Sequence, residues 1–331
     1  MDIIIDGFNK SLHKKDNQII IKEKDLVLDS INASKISSIV IVGKGYVTFD
    51  ALTLISKNNI KLISFDYFGH LNYVLESPDW RNVKLRKCQY VLSENTKGIK
   101  IARELIKSKM INQKATLTTL NKRKKISDIN DIKKSITQEI KELDSLKITN
   151  NLDNIKIKIM GCEGKALRDY WRGIKLLVPS EIGFLQRNQN PTDLLNSMLN
   201  YAYAILASEI TKSILLKGLD PYCGLLHFDR DNRTSLTYDL IEDFRQQIVD
   251  KTVINLINKK QVTINDLDKR NNSIKLDKRK IIASKILDKI NSTITYGGEE
   301  LTYKDIINRQ SNNLVKTILY DEKFSGFSLH W

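Results

Sequence analysis

The chain has few cysteines. It holds three, Cys88, Cys162 and Cys223, and no two of them form a CxxC pair. An odd number of widely separated cysteines argues against a disulfide framework, and the missing CxxC pairs argue against a cysteine zinc site. This cysteine usage is typical of a protein of the reducing cytosol.

Signal-peptide and membrane-span patterns are also missing. The first residues, MDIIIDGFNK, have neither the basic start nor the apolar core of a signal peptide. The longest apolar helix candidate, Leu194–Leu216, is interrupted by polar and charged side chains at Asn196, Asn200, Glu209 and Lys212. We therefore expect a globular, cytoplasmic protein with no membrane partner.

Positive charge is in clear excess. The 331 residues include 54 Lys and Arg but 39 Asp and Glu, for a net charge of +15. A basic chain attracts polyanions, because each phosphate that it neutralises releases counterions. Part of the excess belongs to a composition rich in lysine, asparagine and isoleucine, so charge indicates a nucleic-acid partner without establishing one.

Two regions differ in their apolar patterns. The first holds short runs rich in isoleucine and valine between Gly, Asn and Asp residues, and it predicts strands at Gln18–Lys22, Ser38–Val42, Lys61–Phe65 and Gly69–Glu76 with a short helix at Thr48–Lys57. After Ser77-Pro78 the spacing becomes helical. The prediction is an α+β fold, in which a small β-rich, β-sandwich-like domain (residues 1–78) precedes a larger all-α domain (residues 79–331).

The second region contains several helix patterns. We predict helices at Asn82–Lys107, Asn121–Lys147, Gly161–Leu177, Leu194–Leu216, Leu236–Asn258, Lys278–Ile290 and Thr302–Tyr320. Asp193 and Gly218 have the residue types of a helix start and a helix stop. Ile155, Ile157 and Ile159 alternate as in a strand, so that stretch is ambiguous.

One constellation suggests a metal site. His227 ends the apolar run Gly224-Leu225-Leu226, and Asp239 and Glu242 follow at a spacing of three residues, which places both on one face of a helix. Histidine nitrogen with carboxylate oxygens suits manganese or magnesium. A structural histidine beside two solvated carboxylates fits the same spacing.

A second constellation surrounds Glu163. Gly161 and Gly164 flank this glutamate at a predicted helix start, where the backbone can approach another group closely. By itself the pattern is also that of an ordinary helix with an acidic first turn.

Taken together, the motifs resemble a known family. The sequence is similar to the CRISPR-associated protein one family, the integrases that insert new spacers into CRISPR arrays. The resemblance covers nearly the whole chain, and five motifs in the right order carry it: Gly161-x-Glu163-Gly164-x-x-x-Arg168-x-Tyr170-Trp171, Asn190-Pro191 with Leu199-Asn200-Tyr201, Gly218-Leu219-Asp220-Pro221, Gly224-Leu225-Leu226-His227, and Asp239-Leu240-Ile241-Glu242-Asp243-Phe244-Arg245.

The resemblance implies a set of site residues. The metal ligands would be Glu163, His227 and Glu242, with Asp239 as a fourth catalytic residue, and the ion would be Mg²⁺ or Mn²⁺. Contacts to DNA are implied, less specifically, for Lys165, Arg168, Tyr170 and Arg245. Glu242 stands where some members have Asp.

The resemblance also implies an activity and partners. The activity is transfer of a phosphodiester of double-stranded DNA to a 3′-hydroxyl, and with water as the nucleophile the same site would act as an endonuclease. The partners would be double-stranded DNA and the small CRISPR-associated protein two. The chain would form a homodimer through its N-terminal domain, and two dimers would bridge a dimer of the partner.

Three alternatives stay open at this point. One is a non-catalytic DNA-binding scaffold of the same fold, and the second is a mobile-element-borne integrase relative. The third is a hydrolase of small phosphoesters, which the net charge of +15 and the lack of a phosphate-cradling glycine loop disfavour.

Overall fold

The structure is a computed structural model that describes residues 1–66, 69–77, 82–226, 233–268 and 272–329. The chain folds into two compact units, Met1–Lys84 and Leu85–Trp331. The predicted domain boundary after residue 78 falls in residues 78–81, outside the described residues.

The first unit contains one mixed β-sheet and one helix. In chain order its elements are β1 (Asp2–Lys15), β2 (Gln18–Glu23), β3 (Leu26–Asn32), β4 (Ser38–Val47), α1 (Phe49–Lys57), β5 (Lys61–Phe65) and β6 (Leu71–Leu75). The six strands are ordered β3-β2-β1-β4-β5-β6. The β1–β4 and β4–β5 pairs are parallel and the others antiparallel. The β-rich unit was predicted, but its strands lie in one sheet rather than in a sandwich of two.

Helix α1 connects the parallel strands β4 and β5. Thr48 caps its start by accepting a hydrogen bond from the backbone N–H of Ala51. Ala51 and Ile55 are fully buried in the core of this unit, with Ile39 of β4. At the β1–β4 contact a Cβ atom on Gly43 would lie 2.0 Å from the carbonyl oxygen of Gly7, so this register requires glycine there.

The second unit is mostly helical. Its helices are α2 (Val83–Ser93, which begins at the end of the first unit), α3 (Thr96–Lys124), α4 (Asp128–Ser145), α5 (Leu152–Leu177), α6 (Leu194–Leu216), α7 (Ser235–Leu240), α8 (Lys251–Asn258), α9 (Leu276–Ile290) and α10 (Tyr303–Tyr320). Two short antiparallel pairs, β7 (Leu267–Asp268) with β8 (Ser273–Ile274) and β9 (Thr293–Tyr296) with β10 (Glu299–Thr302), complete it. The α+β class is confirmed, with these short pairs added to the helical part.

Helix α6 agrees with its prediction. Asp193 caps its start by accepting from the N–H of Asn196 at 2.9 Å, and Gly218 follows its end with a φ of +79°. No helix within the described ranges combines the length and the apolar character that a membrane span needs.

Helix α5 begins nine residues before its predicted start at Gly161. Asn151 caps it by accepting from the N–H of Asn154, and the strand-like isoleucines lie inside it. Ile155 and Ile159 are buried one turn apart, whereas Ile157 is exposed. Glu163 is consequently presented from the middle of a long helix rather than from a helix end.

The predicted single helix at Leu236–Asn258 is divided. Helix α7 is followed by a 3₁₀ turn, Ile241–Asp243, then by a π-helical segment, Arg245–Asp250, and then by α8. Almost every side chain from 241 to 250 is buried. This stretch therefore has no alternation of buried and exposed faces, which is the pattern of a regular amphipathic helix. Segments of this kind are frequent at functional sites.

The predicted helix at Asn121–Lys147 is also divided. Residues up to Lys124 belong to α3, which ends where Lys125 takes a left-handed conformation with φ of +53°. The following α4 buries Ile132 and Ile136, so it packs as an amphipathic helix instead of standing free in solvent.

Candidate metal centre

Two predicted metal ligands converge on one buried cation. The ammonium group of Lys109 contacts Oε1 of Glu163, and it lies 2.8 Å from Oε2 of Glu242. The side chains of Lys109 and Glu242 are 4% and 5% exposed, and that of Glu163 is 16% exposed. Glu163 and Glu242 follow Lys109 in the sequence by 54 and 133 positions. The fold brings the three side chains together within the helical unit.

Three separate elements position these groups. Lys109 belongs to α3, Glu163 to α5 and Glu242 to the 3₁₀ turn that follows α7. Asn112, one turn after Lys109, donates from its side chain to the carbonyl oxygen of Asp243 at 2.8 Å. Gln247 donates to the carbonyl oxygen of Asn112 at 3.3 Å. These bonds fix α3 against the segment that carries Glu242.

The electrostatics of the cluster favour the charged lysine. Burial by itself lowers the pKa of Lys109, but the carboxylates of Glu163 and Glu242 more than offset this effect, and the pKa is raised above its ordinary value. A buried ammonium group is therefore retained because two carboxylates surround it.

Arg245 completes the charged cluster. Its Nε lies 3.3 Å from Oε1 of Glu242, and its guanidinium lies over the ring of Tyr203 at 4.9 Å from the centroid. Arg187 lies over the same ring at 5.5 Å. Burial lowers the pKa of Arg245 and Glu242 raises it, with a net rise. Arg245 was predicted to contact DNA, and in this structure its guanidinium faces Glu242.

Asp239 acts on the backbone of the predicted histidine motif. Its Oδ2 accepts hydrogen bonds from the N–H groups of Leu225 at 2.5 Å and Leu226 at 3.1 Å. The side chain is buried, with the residue 2% exposed. Asp239 therefore positions the chain immediately before residue 227.

His227 itself lies in residues 227–232, outside the described residues. Within the described part of the chain, no three His, Cys, Asp or Glu side chains cluster closely enough to hold a metal ion. Of the three predicted metal ligands, Glu163 and Glu242 lie among the described residues. Their oxygens fit a cation, since they already converge on the ammonium group of Lys109, and carboxylate oxygens are ligands that Mg²⁺ and Mn²⁺ prefer.

Behind the cluster lies a buried carboxyl group, Asp250. It accepts hydrogen bonds from the hydroxyl groups of Tyr170, at 2.8 Å, and Tyr203. Tyr170 is fully buried, so its hydroxyl is not available to DNA, and the predicted DNA contact is replaced by a supporting role. The network runs from Asp250 through Tyr203 to Arg245 and Glu242.

Lys165 and Arg168, the other two predicted DNA contacts, are exposed on α5. The ammonium group of Lys165 lies 3.7 Å from Glu139.

The sequence-based prediction missed Lys109 and Asp250. Lys109 lies just beyond the predicted helix Asn82–Lys107, and Asp250 lies inside the predicted helix Leu236–Asn258, where nothing in the sequence distinguishes it from the other polar residues.

Asp250 should give stability a distinct pH dependence. Burial raises its pKa from 3.8 to about 6, although the two tyrosine hydroxyls oppose the rise. Between these values the folded form binds more protons than the unfolded form, so the contribution of Asp250 falls as pH rises through the window. An asparagine at this position does not titrate, so the free energy of unfolding of Asp250→Asn lacks this decrease with pH. The difference in the free energy of unfolding, variant minus wild type, should therefore rise by about 2 kcal/mol from pH 4 to pH 7.

Urea unfolding at several pH values measures this difference. Tyr203→Phe serves as the companion variant, because losing one hydrogen bond to the carboxylate should move the window to higher pH. A constant difference between Asp250→Asn and wild type across the range would contradict the assignment.

Comparison with known proteins identifies the family. The family model described as "CRISPR associated protein Cas1" matches residues 3–291. This match extends along most of the chain, and the chain therefore belongs to the Cas1 family. The family resemblance seen in the motifs is confirmed.

Individual relatives agree with this assignment. "CRISPR-associated protein Cas1 3" of Methanobrevibacter ruminantium is 54% identical over 334 residues, covering 100% of both chains. "CRISPR-associated endonuclease Cas1 1" of Archaeoglobus fulgidus is 34% identical over 346 residues, again covering 100% of both.

Solved structures share the fold. A casposase bound to its integration product is similar with a TM-score of 0.76 and 26% identity, over 98% of this chain and 92% of that one. A chain of a Cas6-RT-Cas1–Cas2 complex is similar with a TM-score of 0.78 over 100% of this chain and 36% of that one, and at 18% identity this likeness shows the fold alone.

Proposed function

We propose that the protein is a metal-dependent DNA integrase and endonuclease that inserts new spacers into CRISPR arrays. The observation that carries this proposal is the buried convergence of Glu163 and Glu242 on one cation, in a chain of the Cas1 family. Relatives that are named endonucleases support it.

The reaction is a transesterification. A 3′-hydroxyl attacks a phosphodiester of the target, a new bond between phosphorus and that 3′ oxygen forms, and the bond to the old 3′ oxygen breaks. The number of phosphodiester bonds is unchanged, so no nucleotide cofactor is needed. With water in place of the 3′-hydroxyl, the same displacement nicks the DNA.

In this proposal the ligands of Mg²⁺ or Mn²⁺ are Glu163, Glu242 and His227. A bound ion would supply Lewis-acid polarisation of the phosphate and would stabilise charge on the attacking or leaving oxygen. The chain's own groups orient the ligands: Arg245 holds Oε1 of Glu242, and Asp239 holds the backbone just before residue 227.

The proposed partners follow from charge and exposed surface. A net charge of +15 suits double-stranded DNA bound through its phosphates. The resemblance implies a homodimer formed through the first unit, and this unit has large exposed apolar side chains, such as Phe8, Leu26 and Phe49, that can take part in the contact. Membership of the Cas1 family favours CRISPR-associated protein two as the partner bridged by two such dimers.

The test is strand transfer by the purified protein. A duplex with free 3′-hydroxyls and a supercoiled plasmid should give joined and nicked products with Mn²⁺ and none with EDTA. DNA binding, followed by fluorescence anisotropy, should be similar in both conditions and should weaken as salt increases. If the protein bound DNA but gave no products under any metal condition, the proposed catalysis would be contradicted. The protein would then be a non-catalytic DNA-binding scaffold.

The structural likeness to a casposase favours one second candidate, a mobile-element-borne integrase. Sequencing the plasmid junctions separates the two. An array integrase should direct insertion to a leader–repeat junction when CRISPR-associated protein two is added, whereas a mobile-element integrase should insert without that partner and without regard to the repeat.

A further inference from the structure

Lys109 lies where the proposed metal ion would meet its carboxylate ligands. Its ammonium group contacts one oxygen of Glu163 and lies 2.8 Å from one oxygen of Glu242. The lysine side chain is only 4% exposed, so bulk water does not solvate it. A lysine placed in this way acts on the carboxylates directly.

The charges of the described cluster cancel. Glu163 and Glu242 contribute two negative charges, and Lys109 and Arg245, both in contact with them, contribute two positive charges. A divalent cation that approaches a neutral cluster gains little from long-range attraction. Removal of the lysine charge changes the net charge of these described side chains from zero to −1, because Arg245 balances only one of the two carboxylates, and the cluster then attracts a cation more strongly.

Geometry points the same way as charge. A Mg²⁺ ion is bound by oxygens at about 2.0–2.1 Å, and other hard divalent ions at comparable distances. An ammonium group in contact with one oxygen of each glutamate occupies the space between those two oxygens. The ion and the ammonium group therefore compete for these oxygens.

The lysine also has a use in the metal-free protein. Two carboxylates buried together without a cation repel each other and lose their hydration, which strongly destabilises the folded state. Contact with Lys109 offsets the repulsion between the two carboxylates. The side chain therefore keeps the ligands close together before any metal arrives.

We propose that Lys109 is a built-in competitor of the metal ion, which holds Glu163 and Glu242 together in the metal-free protein and leaves at least one of their oxygens when a divalent cation binds. Lys109 is a positioning residue in this scheme, and it sets the metal affinity of the site. The inference rests on the metal centre of the proposed function.

The test is Mn²⁺ binding by Lys109→Met, with free Mn²⁺ measured by electron paramagnetic resonance. Loss of the competing charge should tighten the dissociation constant by about tenfold or more. The variant should unfold at a lower temperature than wild type in EDTA, and Mn²⁺ should raise its unfolding temperature by more than it raises that of wild type.

Lys212→Met is the matched control. Lys212 is also 4% exposed and pairs with Glu209 at 2.6 Å on α6. Its loss should lower stability without changing Mn²⁺ affinity. Two further variants guard against misfolding of Lys109→Met: Lys109→Gln should also tighten binding, and Lys109→Arg, which keeps the charge, should not.

The outcomes separate this inference from the proposed function. Glu163→Gln in the wild-type background should weaken Mn²⁺ binding, and unchanged binding would overturn the metal centre itself. If Glu163→Gln weakens binding but neither Lys109→Met nor Lys109→Gln tightens it, the lysine has only a structural role and the inference is overturned alone.

Discussion

Glu242→Gln should lower the rate of metal-dependent strand transfer by on the order of 10³-fold, because a metal ion contributes several kcal/mol of charge stabilisation in such a transition state. The substitution preserves the size of a side chain that is 5% exposed and removes its charge. Single-turnover joining of a duplex to plasmid DNA measures the effect. DNA affinity should not fall, since the variant is one unit more positive than the wild type.

The control for this variant is Glu209→Gln. Glu209 is also mostly buried and also pairs with a buried lysine, Lys212, so the chemical change is the same at another place in the helical unit. It should leave strand transfer within about twofold of wild type.

A double variant tests whether the two glutamates act as one site. Glu163→Gln together with Glu242→Gln should be little slower than either alone, because removing one ligand already disables the centre. Fully multiplied losses would mean that the two side chains act independently, and wild-type activity of either single variant would contradict the site assignment.

Phe327→Ala should lower the free energy of unfolding of the helical unit by about 3–5 kcal/mol. The ring is fully buried. It is stacked on Phe244 at 5.2 Å between centroids and meets the edges of Tyr296 and Tyr303 at 5.1 and 6.0 Å. Urea unfolding followed by far-UV circular dichroism, which reports mainly on helices, measures the loss.

The same substitution should disturb the candidate site. The N–H of Phe327 donates to Asp243 at 2.8 Å and its carbonyl oxygen accepts from Asn112 at 2.9 Å, so this segment joins the two elements that carry Lys109 and Glu242. Tyr320→Ala is the control, because Tyr320 is 69% exposed on the same unit and should change stability by no more than about 0.5 kcal/mol. Equal losses for the two variants would contradict the packing argument.

The fold class, the strands β2, β4, β5 and β6 of the first unit and helix α6 could be predicted because their signals are local, whereas β1 and β3 were not predicted. Strand runs end at Gly, Asn or Asp, and α6 has its cap at Asp193 and its stop at Gly218. The start of α5 could not be predicted in this way. Two glycines at 161 and 164 weaken helix propensity locally, but burial of Ile155 and Ile159 stabilises the helix through them.

In the candidate site, too, the residues with local sequence signals could be predicted and those positioned by distant contacts could not. Glu163 and Glu242 were found because their motifs are short stretches of sequence. Lys109 was missed because its partners lie far away in the chain, and a lysine on a long helix has no local mark of burial. Asp250 was missed because it reaches its tyrosines only through the irregular segment of which it is the last residue.

The irregular segment also has a consequence for chain length. In an α-helix each residue turns the chain by about 100°, and a π-helical turn takes up about one residue more than an α-helical one. Deletion of one residue from Arg245–Asp250 would therefore leave the length of chain that an ordinary α-helical turn takes up, so α8 can keep its orientation while side chains of this segment, including Asp250, turn away from their partners. A point substitution here alters one contact, whereas a change of length redirects several side chains at once.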